Sequence, residues 1–201
     1  MASSLNLINN FINNTTMAEC TSAAVYKNIK HCPGDLVTPG IRAEVFFIPK
    51  ADIASWPTAD PNNGVYTAEA KFVLQEGKKW HTIKGMKTQG NVKAEPTGEK
   101  PICTFDVTLN VFVPGTKNEV IAFANKAVND DLVFAYMTQD GALRVIGTEF
   151  GDVDVKPSLD TGSKSGDNCG ETCAITSNMP YQPLALTDIS CLGAVDDGAA
   201  A

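Results

Sequence analysis

From residue 41 onward, apolar and polar positions alternate through much of the chain, and that period of two predicts strands. In IRAEVFFI (41–48), Ile41, Ala43, Val45 and Phe47 alternate with Arg42 and Glu44 until Pro49 stops the pattern. TFDVTLNVFV (104–113) is the clearest case, with Phe105, Val107, Leu109, Val111 and Val113 on one side and Thr104, Asp106, Thr108 and Asn110 on the other. TAEAKFVLQ, KWHTIKG and KTQGNVKAE, between 67 and 95, read as strand material broken at Gly77 and Gly85. EFGDVDVKP (149–157) alternates acid with valine, and TCAITS (172–177) predicts a short closing strand.

The period changes once. TKNEVIAFANKAV places Val120, Phe123, Ala124, Ala127 and Val128 on one helical stripe, which predicts an amphipathic helix of about three turns. Thr116 and Glu119 have capping-box spacing, and Asn129 is suited to end the helix. LVFAYMTQDGALRVIGTEF (132–150) then predicts a hairpin. With Asp140-Gly141 as a two-residue type I′ turn, Tyr136 would face Val145 and Phe134 would face Gly147, with Val133, Ala135, Met137, Arg144 and Ile146 on the opposite face. Both faces are then largely apolar, so something must cover the second one: the helix, another sheet or a neighbouring subunit.

Between these elements lie punctuated segments. Pro33, Gly34, Pro39 and Gly40 interrupt a polar start, and residues 1–40 read as an N-terminal arm. Pro57, Pro61 and Gly64 make a loop after KADIASW, itself long enough for one helical turn. Trp56 in that loop either plugs its own domain or inserts into a partner. SLDTGSKSGDNCGE is a polar loop, and the chain runs out in DDGAAA. The organisation expected is an arm (1–40), one β-domain (41–190) and a mobile tail (191–201).

Composition narrows the chemistry. Sixteen basic residues stand against 23 acidic ones, a formal charge of −7, which opposes a phosphate-gripping basic surface. The opening MASSLNLINNFINNTTMAEC has no basic region before an apolar core and reads as neither signal peptide nor membrane span, so a product made in the cytoplasm is expected. Cys20, Cys32, Cys103, Cys169, Cys173 and Cys191 are then expected as reduced thiols, with Cys103 a small, partly buried one. CGETC and His31-Cys32 offer zinc-compatible spacing without forming a paired knuckle, and no metal or cofactor is expected. His81 has no nucleophile or carboxylate at a telling spacing and reads as structural. Asp152 and Asp154 share a strand face, which suits either acid–base or cation chemistry or a solvated surface. Phosphate loops, dinucleotide fingerprints, nucleophile elbows and His-Glu metal helices are missing from the sequence, which argues against an enzyme.

The run TKNEVIAFANKAVNDDLVFAYMTQDGALRVIGTEFG, with the Gly/Ser-rich loop and closing strand after it, resembles tail tube (major tail) proteins of tailed bacteriophages over about residues 104–186. The resemblance implies a mainly β fold, a β-sandwich or barrel with one flanking α-helix (about 117–128), a long N-terminal arm and extended loops. It implies homohexameric rings whose strands form a continuous inner β-barrel and stack into a virion tail tube for DNA ejection. Its partners would be other copies, the tape measure, terminator and sheath proteins, and DNA in passage. Trp56, Val133, Met137 and Ile146 are the subunit-interface residues expected on this basis, and Asp152 and Asp154 the acidic lumen residues. Other readings are a terminator or head–tail connector ring, or a monomeric carbohydrate-binding or adhesin module stacking sugars on Trp56, Trp80 and Tyr66.

Overall fold

The computed structural model describes residues 28–30, 38–67, 70–87, 89–164 and 166–196. Most of the expected arm and the last five residues lie outside that set. In chain order the strands are β1 (Ile41–Pro49), β2 (Ile53–Ser55), β3 (Ala59–Asp60), β4 (Val65–Tyr66), β5 (Val73–Leu74), β6 (His81–Lys84), β7 (Asn91–Thr97) and β8 (Thr104–Pro114). After helix α1 (Asn118–Ala127) come β9 (Leu132–Thr138), β10 (Leu143–Ile146), β11 (Val153–Asp160), β12 (Gly170–Met179) and β13 (Ala185–Leu186). Short 3-10 turns fill Lys50–Asp52 and Ile189–Leu192. The protein is mainly β with one helix.

Two sheets form the body. The larger has the order β3-β4-β13-β10-β9-β1-β6 and the smaller β11-β12-β8-β7, while β2 and β5 pair separately. Alternation on β8 turns Val107, Leu109 and Val111 inward, where they meet Ile175 and Met179 of β12, Val153 and Val155 of β11, and Val45, Phe134 and Ile146 of the larger sheet. That is a two-sheet sandwich core. Helix α1 carries the chain from the smaller sheet to the larger, burying Ala124 and Ala127 while Val128 stays 54% exposed. It starts at Lys117 without a side-chain cap, so the Thr116–Glu119 capping box is not made: Thr116 lies one residue too early to serve as N-cap.

The hairpin departs from its expected register. Met137 faces Leu143, Tyr136 faces Arg144, Ala135 faces Val145 and Phe134 faces Ile146. The loop therefore holds three residues, Gln139 to Gly141, closed by Thr138 N–H to Ala142 O at 2.9 Å and Gly141 N–H to Thr138 O at 3.0 Å. Only Gly141 is left-handed (φ 96°), whereas a type I′ turn needs positive φ at Asp140 as well. Thr138 Oγ1 reinforces the turn, accepting from Ala142 N at 3.1 Å and donating to the Asp140 carboxylate. One added loop residue flips β10 over: Leu143 and Val145 join Val133 and Ala135, while Ile146 and Arg144 join Phe134 and Tyr136.

TCAITS proves to be the middle of a ten-residue strand that pairs along almost all of β8. Residues 191–196, expected in the tail, are docked instead. Trp80 accepts from Asp196 N at 2.7 Å and donates to Ala194 O at 2.9 Å, and Cys191 and Leu192 are buried.

Candidate assembly surfaces

The expected interface residues separate into two groups. Val133 (1% exposed) and Ile146 (0%) belong to different cores on opposite faces of the larger sheet, and both are covered by their own chain. The cover on the Val133 face comes from Phe72, Trp80, Leu184 and Leu192, contributed by the 53–80 segment and the chain's end. The cover expected from the helix, another sheet or a neighbour thus comes from the chain itself, from the small β2-β5 sheet (Ile53, Leu74) and the loops around it, and neither residue has surface left to offer a partner. Trp56 and Met137 are half-buried against that second core. Trp56 meets Phe72 edge-on at 5.5 Å, and Phe72 meets Trp80 in the same way at 5.3 Å, so Trp56 plugs its own domain. Trp80 (0%) and Tyr66 (4%) are interior, which removes two of the three rings that a sugar-stacking platform would need.

The smaller sheet presents a different surface. Its outward positions are mostly polar: Asn91, Lys93 and Glu95 on β7, Asp106, Thr108 and Asn110 on β8, Thr172, Thr176 and Asn178 on β12, and Asp154, Lys156, Ser158 and Asp160 on β11, with Ala174 and the buried Phe112 on the same face. Asn178 Nδ2 donates to Asp106 at 2.6 Å and to Thr104 Oγ1 at 3.0 Å, Asn110 Nδ2 donates to Asn91 Oδ1 at 3.1 Å, and Lys93 pairs with Glu95 at 2.9 Å. Cross-strand amides and hydroxyls therefore order a polar face on which Glu95, Asp106, Asp154 and Asp160 outnumber Lys93 and Lys156. Asp154 stands on this face. Asp152, just before β11, is instead drawn towards Lys50 at 3.6 Å. β7 and β11 are the two edges of the sheet, with Pro96 and Pro157 in them.

A cleft of about 590 Å³ opens between α1 and the strands beside it, walled by Phe47, Ile83, Val113, Val120 and Phe123. Phe47 packs edge-on to Phe123 at 4.9 Å, and the exposed His81 ring lies 5.3 Å from Phe47. Sequence reasoning passed over this cleft because its walls come from β1, β6 and the consecutive β8 and α1, brought together only by the fold. Each wall residue alone reads as ordinary core.

Titratable groups add little chemistry. Burial pushes the Tyr136 hydroxyl up to about 12, against a smaller opposing pull from Arg144. Burial also lifts the Cys173 thiol to about 11, with Glu171 adding to the effect, so it is a poor nucleophile. Cys191 is buried, whereas Cys103 and Cys169 are exposed, Cys103 against expectation because it belongs to the exposed turn 98–103 between β7 and β8. Cys20 and Cys32 lie outside the described residues. Among the described residues, no group of three or more His, Cys, Asp or Glu side chains is placed to hold a metal ion, and no helix is long and apolar enough to cross a membrane.

Glu171 points inward beside Cys173, only 3% exposed, and desolvation holds its carboxyl above the usual range. The folded chain thus binds this proton more readily than the unfolded chain does. Folding loses stability as pH rises from the unfolded value through the raised folded one, and nothing is lost below both. Glu171→Gln is therefore expected to raise the urea midpoint at neutral pH, with the gain disappearing in acid. A gain of equal size at every pH would remove the carboxyl's charge as the cause.

Family models, curated proteins and solved structures give no match to this chain.

Proposed function

We propose that the chain is a tail tube subunit of a tailed bacteriophage, a structural virion protein made in the host cytoplasm that assembles into stacked hexameric rings around a conduit for DNA. One observation carries this reading: the smaller sheet is apolar inside, hydroxyl- and amide-rich with excess acid outside, and unpaired at both edges among the described residues. Strand direction alternates along β11-β12-β8-β7, so β7 and β11 run in opposite senses. β11 of one copy can therefore extend the antiparallel sheet from β7 of the next. A head-to-tail contact of this kind closes into a ring and removes both open edges. Pro96 and Pro157 confine full pairing to Asn91–Glu95 and Val153–Lys156. The polar outer face would then line the bore, where a weakly acidic surface repels DNA phosphates and lets the duplex slide. The sequence resemblance over about residues 104–186 points the same way and implies tape measure, terminator and sheath proteins as further partners. The chain is read as a non-enzyme without cofactors.

Negative-stain microscopy of concentrated protein tests this. Hollow tubes are expected; rings that stop at one layer would reassign the chain to a terminator or connector role. A chain monomeric at every concentration would overturn the reading. On assembled tubes, Asp106→Lys with Asp154→Lys is expected to leave assembly intact and to cause DNA retention that weakens steeply with salt. Tubes that ignore DNA after both changes would place this face away from the bore. Asp152 is less suited to the experiment, because a lysine there would also repel Lys50.

A further inference from the structure

Phe150 is 91% exposed on a well-braced turn between β10 and β11. Gly151 N–H donates to Thr148 Oγ1 at 2.8 Å, and the Lys50 ammonium donates to Gly151 O at 2.9 Å and lies 3.6 Å from Asp152. The backbone holding this ring out is thus tied down on both sides. A large apolar ring fixed in water is a feature that a partner's pocket resolves.

We propose that Phe150 of one copy inserts into the α1 cleft of another, a second self-contact that rests on the tube reading above. Within its own chain the ring does not fill the cleft, since it is 91% exposed. Lys50 N–H donates to Asp131 O at 2.8 Å, which places the Phe150 turn by the C-terminal end of α1, whereas the cleft is built on Val120 and Phe123 towards the other end. A helix of ten residues separates its two ends by about 15 Å. The occupant must come from another molecule, and because the two surfaces differ, the contact is head-to-tail and propagates.

Size agrees with this occupant, and one lysine at the cleft offers a counterpart for its charge. The cleft of about 590 Å³ accommodates a phenyl ring, and its walls include the aromatic pair Phe47 and Phe123, against which another ring can pack edge-on. Phe150 is flanked by Glu149 and Asp152, with Asp130 and Asp131 in the adjacent link. Lys84 and Lys117 stand at the cleft together with Glu119 and Asp196. Lys84 already meets Glu44 at 3.5 Å, while Lys117 has no ion pair among the described residues and is the counterpart for Glu149. A ring with a carboxylate beside it thus meets an aromatic slot with an ammonium beside it.

The test uses full-length chain with Cys20, Cys32, Cys103 and Cys169 changed to serine and Cys173, which lines the cleft, changed to alanine. One preparation carries Phe150→Cys and another Val120→Cys. Mixed under mild oxidation, they are expected to give disulfide-linked pairs that neither forms alone. Separately, Phe150→Asp in the otherwise unchanged chain is expected to raise the concentration needed for assembly at least tenfold, while thermal unfolding of the monomer stays unchanged because the ring touches little of its own domain. Cross-linking of Phe150→Cys chains with one another would replace the head-to-tail contact with a symmetric one and overturn the inference. So would unchanged assembly of Phe150→Asp together with no mixed disulfide, and in that case the tube reading stands. Failure of the unaltered chain to assemble would remove both.

Discussion

Replacing Trp80 with alanine is expected to destabilise the domain by about 3–5 kcal/mol, the range for deleting a large buried aromatic. Trp80 is fully buried in the outer core, where its ring meets Phe72 edge-on. Its backbone also anchors the chain's end through the bonds to Ala194 and Asp196. Losing the indole would open the cover over Val133, Ala135 and Val145, so binding of an apolar dye should rise along with the fall in the urea midpoint. Trp80→Phe is expected to cost much less than its lost volume suggests. The indole Nε1 is buried with no hydrogen-bond partner among the described residues, and an unsatisfied buried donor costs about 1–3 kcal/mol, which phenylalanine would recover. Equal losses for alanine and phenylalanine would show that the orphaned N–H carries no penalty.

Phe134→Ala should cost a similar amount, about 3–5 kcal/mol, by a different route. Phe134 is fully buried on β9, on the face opposite Val133 and Ala135, in the core between the two sheets. Its loss empties the sandwich but leaves the outer cover in place. The urea midpoint should therefore fall without the rise in dye binding that Trp80→Ala brings. Matching dye binding in the two variants would mean that the two cores fail as one unit and are not separable layers.

The two cores mark where local pattern stops being informative. Alternation in β1, β8 and β11 is a property of successive side chains on a pleated strand, so β1 and β8 were legible from residues 41–48 and 104–113 alone and β11 from 153–157, while 149–152 form a turn and 158–160, expected in a loop, extend the strand. The α1 stripe was legible for the same reason, and so was the two-sided apolar character of 132–146. The hairpin's register was not, because one backbone angle at Asp140 separates a two-residue from a three-residue loop, and an Asp-Gly pair serves both. That single residue decides whether Ile146 lies with Val133 or with Phe134.

The candidate surfaces divide in a similar way. The polar outer face of the smaller sheet follows from Thr104, Asp106, Thr108 and Asn110, whose alternation is visible in the sequence. Val133, Met137 and Ile146 were expected at a subunit contact because the hairpin's second face needed a cover, and Trp56 because a loop tryptophan can insert into a partner; the structure supplies the cover over Val133 from residues 53–80 and 184–195. No local rule could have supplied it, since a cover made across a hundred residues depends on the path of the whole chain.

By itself, then, the sequence determined that this is a mainly β protein with one amphipathic helix and a hairpin apolar on both faces. It did so because strand and helix periods are set by neighbours two to four residues apart. Tertiary structure alone decided which segments bury that hairpin, that residues 191–196 dock on Trp80, and that an aromatic cleft and the exposed Phe150 lie at opposite ends of α1. Each of these depends on long-range packing, in which burial selects partners by shape and availability and not by distance along the chain.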